Sequence, residues 1–190
     1  MIRERPPSES MELVDVPRPS PKEVKDVLPT FTPRNAPSYD PKAWRLRINC
    51  LVGEPQSLSI GEILNMEKAQ VECDFECVEG WVVPRIRWEG VRVRTVLGTV
   101  RMDPAAQFLM FRAGDFSACL PLAEARGDDA LLAYSLNGLS LTFEHGAPLR
   151  LIYPGQNCYE SVKWVHHLEA LAIPQEGTGK AIALKRIGRA

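Results

Sequence analysis

The chain has 190 residues, of which 45% are hydrophobic and 25% are charged, and its formal net charge is -1. This balance is typical of a soluble globular protein, and the length predicts one domain with a substantial core and short tails. A net charge so close to zero argues against a general nucleic-acid or anionic-membrane binder, because such proteins usually carry excess basic charge. No apolar run is long enough to span a bilayer, and Met1–Pro7 has charges with no apolar stretch behind them, so we expect neither a membrane span nor a secretory signal.

Cysteine usage favours a reducing compartment. The five cysteines are scattered along the chain, and an odd, scattered set is not typical of a disulfide framework. No C-x-x-C pair occurs, and the close pair Cys73 and Cys77 has no second pair downstream, which argues against a structural zinc site. We therefore expect reduced thiols and a cytoplasmic location.

The N-terminal segment is rich in proline. Nine of the sixteen prolines precede Lys42, and so much proline excludes a regular helix or a central strand. We interpret residues 1–30 as an extended or disordered arm, followed by a domain at 31–174 and a peripheral C-terminal tail at 175–190. The rigid stretch from Thr32 to Pro37 lies just before the domain core, where it can present Arg34 and Asn35 to a site.

Short alternating or apolar runs predict the strands. The predicted strands are 44–52, 71–77, 108–112, 116–121, 131–136, 139–141, 149–153 and 162–170. Asn137-Gly138 lies between two of them and is a strong hairpin signal.

The helices are predicted to be short and few. Ser59 and Glu62 form a capping-box pattern ahead of a helix that we expect to reach about Lys68, and a second helical pattern covers 93–100. Between them, the stretch 88–90 predicts a turn. Strands outnumber helices without a βαβ rhythm, so we expect an α+β fold of mainly short mixed strands with short helices.

Cys77 occupies the most informative stretch. Apolar and acidic residues alternate from Val71 to Cys77, which is the pattern of a half-buried strand, and the pattern breaks at Glu79-Gly80. A thiolate at the end of such a strand can bind a soft metal or act as a nucleophile. The plainer alternative is a cysteine that fills space in the core, which is the commoner role of an isolated cysteine.

Two further clusters carry polar groups suited to chemistry. His145 lies in a tight loop ahead of a strand that contains Arg150, and an arginine there needs a partner because burying an unpaired charge is costly. Ser161 and Lys163 are predicted to share one strand face, where a hydroxyl and an ammonium can hold a phosphate. The alternatives are a loop histidine with a backbone partner and basic residues on a solvated strand face.

Four motifs in order resemble the molybdopterin-binding domain of the sulfite oxidase superfamily. They are Cys77-Val78-Glu79-Gly80-Trp81, Trp88-Glu89-Gly90-Val91, His145-Gly146-Ala147-Pro148-Leu149-Arg150 and Ser161-Val162-Lys163-Trp164. Each motif is weak alone, but their order and approximate spacing match from about Thr32 to Ala172. The resemblance implies the fold of that domain and a molybdenum cofactor.

The resemblance also implies roles for individual residues. Cys77 is expected to be the protein's metal ligand, since a thiolate is a soft donor suited to molybdenum. Arg34 and Asn35 match an Arg-Asn pair at the cofactor, and Arg34 is also expected to face an anionic substrate. The remaining matches to positions that hold the pterin and its phosphate are His145, Arg150, Ser161 and Lys163. The expected reaction is a two-electron oxygen-atom transfer on a small substrate.

Three departures from the family pattern favour a substrate other than sulfite. Ala36 replaces a histidine, the arginines that follow the ligand cysteine are replaced by Val78–Trp81, and Phe116 stands where sulfite oxidases have a tyrosine. The chain resembles a short, stand-alone prokaryotic type, which we expect to be a monomer that exchanges electrons with a separate redox protein.

Two other functions stay open at this stage. The first is a non-catalytic protein that keeps the fold and binds the pterin or a partner. The second is a thiol enzyme that uses Cys77 as nucleophile and His145 as base.

Overall fold

The computed structural model of the protein describes residues 23–37, 40, 42–155 and 157–188. Within these ranges, two mixed sheets carry short helices at their edges, so the predicted α+β class is confirmed. The first 22 residues of the predicted arm lie outside the described residues.

The chain alternates short strands with a few one-turn or two-turn helices. The strands are β1 (Glu23–Val24), β2 (Arg45–Cys50), β3 (Gln56–Ser59), β4 (Lys68–Cys77), β5 (Trp81–Arg92), β6 (Phe108–Ala113), β7 (Phe116–Pro121), β8 (Leu131–Leu136), β9 (Leu139–Ser140), β10 (Arg150–Ile152) and β11 (His167–Leu171). The helices are α1 (Ile60–Leu64), α2 (Val93–Leu97), α3 (Leu122–Ala125) and α4 (Thr178–Arg186), with a 3-10 turn at Cys158–Glu160.

The six-stranded sheet is built along β5. β4 pairs antiparallel with most of β5, with an irregularity between Cys73 and Phe75, and ends with Cys77 opposite Trp81. β1 pairs in parallel with the start of β5, and β8 pairs antiparallel with its end. β8 also pairs with β9 and with β10, which places Arg150 opposite Ala133. The sheet thus brings the end of β4 and the buried strand β10 into one structure.

The five-stranded sheet has the order β3-β2-β11-β6-β7. β11 pairs in parallel with β2 and antiparallel with β6, and the remaining pairs are antiparallel. Period-two alternation sets its faces: Leu46 and Ile48 of β2 are buried, whereas Arg45 and Arg47 are exposed.

The main core lies where the inner faces of the two sheets meet. Leu46, Phe111 and Leu168 come from the five-stranded sheet, and Leu132 and Leu151 come from the six-stranded sheet; all five side chains are fully buried. Burying a side chain of this size contributes roughly 1.5–3 kcal/mol. A second cluster around Trp88 includes Leu28 of the arm.

Local signals in the sequence set several element boundaries. Ser59 and Glu62 form the capping box at the start of α1, as predicted. Asn137 and Gly138 form the two-residue loop between β8 and β9, both at positive φ, which suits the right-handed twist of a hairpin.

The predicted turn at 88–90 is wrong, because β5 runs straight through these residues. Gly90 lies beside the backbone of Leu132 in β8, where a Cβ would clash, and a register irregularity falls between Glu89 and Gly90. A glycine in a strand often marks such a close approach rather than a turn. The predicted first helix is also too long: α1 ends at Leu64, and β4 already begins at Lys68.

The last predicted strand is shorter than expected. Regular pairing covers only His167–Leu171, and Val162–Trp164 is irregular, with Trp164 at φ 60°. Ser161 and Lys163 therefore do not share a strand face, and their positions depend on the loop that precedes β11.

Both ends of the described chain lie against the domain. β1 pairs with β5, and Leu28 is buried. In the predicted C-terminal tail, Thr178–Arg186 forms α4, and Gly179 packs against the carbonyl oxygen of Tyr159. No helix in the described ranges is long and apolar enough to cross a membrane.

Candidate active site

A cavity of about 160 Å³ lies beside the end of β4. Most residues that line this cavity belong to the domain, and the N-terminal arm and α4 contribute the others. The lining includes four of the residues predicted for the site, which are Cys77, Arg150, Ser161 and Lys163. One concave site thus collects side chains that are far apart in the sequence, since Arg150, Ser161 and Lys163 follow Cys77 by 73, 84 and 86 positions.

Cys77 is half-buried at the last position of β4. Its Sγ lies 3.4 Å from Sγ of Cys158, the first residue of the 3-10 turn. The hydrogen bond between these sulfurs raises the pKa of Cys77, and burial raises it further. The same hydrogen bond lowers the pKa of Cys158 to about 7, with further help from the backbone of Val78 and from Arg150. Of the two thiols, Cys158 therefore loses its proton more readily than Cys77.

Arg150 is buried in β10 with only 6% of its surface exposed. One terminal nitrogen donates to the carbonyl oxygen of His145 at 3.2 Å, and the guanidinium lies 5.0 and 5.3 Å from the ring centroids of Phe75 and Trp88. Its Nε has no partner, and no carboxylate among the described residues pairs with it. Burial lowers the pKa of Arg150 to about 10. The predicted need for a partner is therefore not met by an acidic residue of the described chain.

Lys163 reaches the cavity from the loop before β11. Its Nζ donates to the carbonyl oxygens of Phe31 at 2.5 Å and Glu144 at 2.7 Å. Gly146, at φ 109°, allows this path, because a Cβ there would come within 2.9 Å of the Lys163 stem. Burial, followed by the nearby Arg150 and Arg186, lowers the pKa of Lys163 to about 7.

The arm and α4 close one side of the cavity. Phe31, the residue that follows the arm, packs under the guanidinium of Arg186, whose carbon lies 4.1 Å from the ring centroid. Arg186 also forms an ion pair with Glu79 at 2.5 Å. Phe116 and Trp164 form an aromatic wall, with ring centroids 6.2 Å apart.

Three predicted site residues do not line the cavity. His145 uses both ring nitrogens elsewhere, since Nδ1 lies 3.2 Å from the Thr142 hydroxyl and Nε2 lies 3.2 Å from the carbonyl oxygen of Leu28. Arg34 and Asn35 lie in an exposed turn next to Pro33, which does line the cavity, and the Asn35 amide donates to Asp115 at 2.8 Å.

Sequence reasoning did not select Cys158 or Arg186 for this site. Cys158 lies three residues before Ser161, which is the first residue of the last family motif. Its closeness to that motif in the sequence was the available signal. Arg186 follows an apolar run, Ala181–Leu184, flanked by basic residues, which is a weak helix signal.

The cavity has more positive than negative charge. Its described lining contains the cations Arg150, Lys163 and Arg186 but a single carboxylate, that of Glu79, which pairs with Arg186. Buried cations normally have partners, so this arrangement is suited to an anionic ligand. Among the described residues, no cluster of three or more His, Cys, Asp or Glu side chains could hold a metal, so a metal at Cys77 would need most of its ligands from a bound cofactor.

Several proteins of known name are similar to this chain. An uncharacterized oxidoreductase of Bacillus subtilis, YuiH, is 30% identical over 148 residues, which cover 77% of this chain and 75% of that protein. Human mitochondrial sulfite oxidase is 28% identical over 170 residues. The MsrP catalytic subunit of the protein-methionine-sulfoxide reductase of Gluconobacter oxydans is 27% identical over 155 residues.

Coverage differs among these relatives. The matches cover 72% of this chain but 31% of human sulfite oxidase, and 70% of this chain but 49% of MsrP. Among solved structures, the sulfane dehydrogenase SoxCD of Paracoccus pantotrophus superposes with a TM-score of 0.67 at 22% identity, over 77% of this chain and 45% of that chain. This likeness confirms the sulfite-oxidase-type fold.

The match to a protein family covers most of the domain. The profile of the oxidoreductase molybdopterin binding domain matches residues 33–178, which include the cavity residues from Cys77 to Lys163. The resemblance found in the sequence motifs is confirmed. The chain belongs to the oxidoreductase molybdopterin-binding domain family, within the sulfite oxidase superfamily.

Proposed function

We propose that this chain is a molybdenum-cofactor-dependent oxidoreductase that performs two-electron oxygen-atom transfer on a small substrate other than sulfite. The observation that carries the proposal is the meeting of a cysteine thiol with a buried, acid-free arginine in one cavity. A thiol and a cation without an acidic partner are the two groups that a metal-bearing, phosphorylated cofactor requires from a protein.

Cys77 supplies the soft donor. Its thiol lines the cavity at the end of a paired strand, so the β4–β5 ladder fixes the position of the sulfur. A bound metal keeps a coordinating thiol deprotonated, which overcomes the raised pKa of Cys77. When bound, the cofactor supplies a metal that changes oxidation state by two electrons and exchanges an oxygen atom with the substrate.

Arg150, Ser161 and Lys163 hold the anionic part of the cofactor. Arg150 offers a planar set of donors with one nitrogen still unsatisfied, and Lys163 adds a point charge. An anion placed between them favours the charged form of Lys163 and so raises its pKa from about 7. The residues present therefore fit the phosphate of a molybdopterin.

The cavity wall supports a substrate other than sulfite. Phe116 lines the cavity where the sulfite oxidase pattern has a tyrosine, and Trp164 packs against it. Arg34 lies outside the lining, so its action on an anionic substrate requires the turn at 34–35 to move inward. The name of the relative MsrP, a catalytic subunit, supports both a sulfoxide-type substrate and a separate electron-transfer partner.

The two alternatives fare differently. The thiol-enzyme hypothesis needs His145 as base, yet its ring nitrogens bond to Thr142 and Leu28, and within the described residues neither bonds to Cys77. In the non-catalytic hypothesis the protein keeps the fold and binds the pterin or a partner without turnover, so cofactor content and activity together distinguish it from the enzyme. A cytoplasmic location and a monomeric state stay predictions from the sequence.

The proposal is tested by metal and pterin analysis of the chain produced in cells that make the cofactor. The variants are Cys77→Ser and, as a matched control, Cys50→Ser, which changes an exposed cysteine on β2. We expect near one molybdenum per chain in the wild type and in C50S, and an altered metal spectrum with reduced metal content in C77S.

Turnover is then measured with sulfite and with small sulfoxides, using a redox dye as electron donor or acceptor. Activity on a sulfoxide above that on sulfite supports the proposal. A loaded chain with no turnover on any oxygen-transfer substrate supports the non-catalytic alternative. No molybdenum and no pterin fluorescence after denaturation would contradict the proposed enzyme and would leave the non-catalytic protein that binds a partner.

A further inference from the structure

Cys77 and Cys158 form a close dithiol inside the proposed cofactor cavity. Their Sγ atoms are 3.4 Å apart, although the residues are separated by 81 positions. We propose that this pair is a site of reversible covalent modification, in which a disulfide forms in the cofactor-free chain and withdraws the thiol of Cys77 from metal binding. The consequence for metal binding depends on the proposed function; the disulfide itself does not.

The geometry needs only a small adjustment. A disulfide has sulfurs about 2.05 Å apart, so the two Sγ atoms must approach each other by about 1.4 Å. Rotation about the Cα–Cβ bond moves a cysteine Sγ between staggered positions that are farther apart than this distance. Both residues are half-buried and line the cavity, so a small reagent reaches them through the same opening that a cofactor would use.

The other cysteines are less suited to pair with Cys77. Cys50 and Cys119 belong to the five-stranded sheet, on β2 and β7. Cys73 is the nearest rival, because it lines a smaller adjoining cavity together with Cys158. Among the described residues, however, the thiol within hydrogen-bond distance of Sγ of Cys158 is that of Cys77, whereas Cys73 lies four positions earlier on β4, opposite Ile86.

The reaction is thiol–disulfide exchange with a low-molecular-weight disulfide such as oxidised glutathione. One cavity thiolate attacks a sulfur of the small disulfide, which forms a mixed disulfide and releases one glutathione thiol. The second cavity thiolate then attacks the protein sulfur of that mixed disulfide, which forms the Cys77–Cys158 bond and releases the second glutathione. The protein pair loses two electrons and two protons, and the small disulfide gains them.

Disulfide and cofactor exclude each other in this arrangement. A sulfur that is bonded to Cys158 has no thiolate to offer a soft metal. Reduction by free thiols reverses the modification and restores the ligand. Loading of the cavity thus depends on the thiol–disulfide state of the compartment.

The test uses the full chain purified without cofactor, from cells that cannot make molybdopterin. The reduced protein is incubated with oxidised glutathione, its remaining thiols are blocked with N-ethylmaleimide, and its peptides are analysed by mass spectrometry. We expect loss of two of the five thiols and a peptide pair joined through Cys77 and Cys158. Cys77→Ser should stop at a mixed disulfide between Cys158 and glutathione, whereas a Cys50→Ser/Cys119→Ser control should still form the bond.

The second readout is protection by the cofactor. In chain loaded with molybdenum, we expect the Cys77–Cys158 disulfide to form at least ten times more slowly. Preferential pairing through Cys73, no disulfide in the cofactor-free chain, or equal rates with and without cofactor would overturn the proposal. A chain that forms the disulfide but never binds molybdenum would contradict the proposed function and leave the dithiol assignment supported.

Discussion

Two arginines on the two sheets have opposite surroundings. Arg112, on β6 of the five-stranded sheet, is partly exposed, and its Nε lies 2.6 Å from a carboxylate oxygen of Glu169. Arg150, on β10 of the six-stranded sheet, is almost fully buried and has no carboxylate partner among the described residues. The more deeply buried arginine is thus the one without an acid.

Stability alone does not account for this difference. Desolvating a charge is costly, and a protein selected only for stability would pair or remove Arg150. On the outer face of the five-stranded sheet, Arg112 is paired with an acid, as this argument requires, whereas Arg150 in the cavity is not. We infer that the cavity keeps its unpaired cation for an anionic ligand, at a cost to the stability of the cofactor-free chain.

The largest effect is expected from Arg150→Met. Removal of the guanidinium deletes a principal contact to the cofactor phosphate, so we expect at least a tenfold fall in molybdenum and pterin content per chain. The cofactor-free variant should gain about 1 kcal/mol in its free energy of unfolding, because an unpaired buried charge is replaced by an apolar side chain of similar length. Urea denaturation measures the second effect. A less stable variant with normal cofactor content would contradict the comparison.

Arg112→Met should give the opposite result. This change leaves the largely buried Glu169 without its ion-pair partner, so we expect a loss of about 1–2 kcal/mol in the free energy of unfolding. Cofactor content should not change, because Arg112 does not line the cavity. Equal cofactor loss in both variants would show that the cavity charge is not special.

The pKa of Lys163 sharpens the comparison through pH. Burial and the nearby cations lower this pKa to about 7, so the side chain loses its charge as the pH rises through 7. We therefore expect sulfate, whose charge is constant in this range, to raise the melting temperature of the cofactor-free chain several-fold more at pH 6 than at pH 8. Lys163→Met should abolish this pH dependence. An unchanged profile would sink the assignment of Lys163 as an anion-binding cation.

The same shift predicts how stability without anions depends on pH. Between about 7 and the ordinary lysine pKa near 10.4, the unfolded chain holds a proton on this side chain that the folded chain does not. Because the unfolded state binds more protons in this window, the free energy of unfolding rises with pH across it. Below about pH 7 both states carry the proton, and the buried charge of Lys163 destabilises the folded chain by its full amount. Comparing urea denaturation of wild type and K163M across this range measures that contribution.

The smallest effect is expected from Arg186→Gln. The ion pair between Arg186 and Glu79 is substantially exposed, so its loss should change the free energy of unfolding by less than about 1 kcal/mol. A larger loss would mean that the ion pair is the main contact that holds α4 on the domain. In that case Glu79→Gln should lower the free energy of unfolding by a similar amount.

Sequence patterns predicted the parts of the fold that depend on local signals. The capping box at Ser59 and the hairpin at Asn137-Gly138 were identified because their backbone requirements are carried by the residues themselves. The turn predicted at Gly90 was wrong because this glycine makes room for the backbone of the neighbouring strand β8, and no local sequence pattern reveals that contact.

The candidate site divides in the same way. Motif order identified Cys77, Arg150 and Lys163, and the structure places all three in one cavity. Cys158 and Arg186 reach that cavity through a 3-10 turn and a C-terminal helix whose docking depends on long-range packing. The partner expected for Arg150 is the backbone carbonyl oxygen of His145, with two aromatic rings nearby, and it is not an acid. In the proposed function an anionic ligand supplies the counter-charge.

The most direct test is a crystal structure of the molybdenum-loaded chain with anomalous data at the molybdenum edge. We expect one metal peak at bonding distance from Sγ of Cys77, with the cofactor phosphate in contact with Arg150 and Lys163. A metal bound away from Cys77, or a phosphate that leaves Arg150 without an anionic partner, would contradict the account.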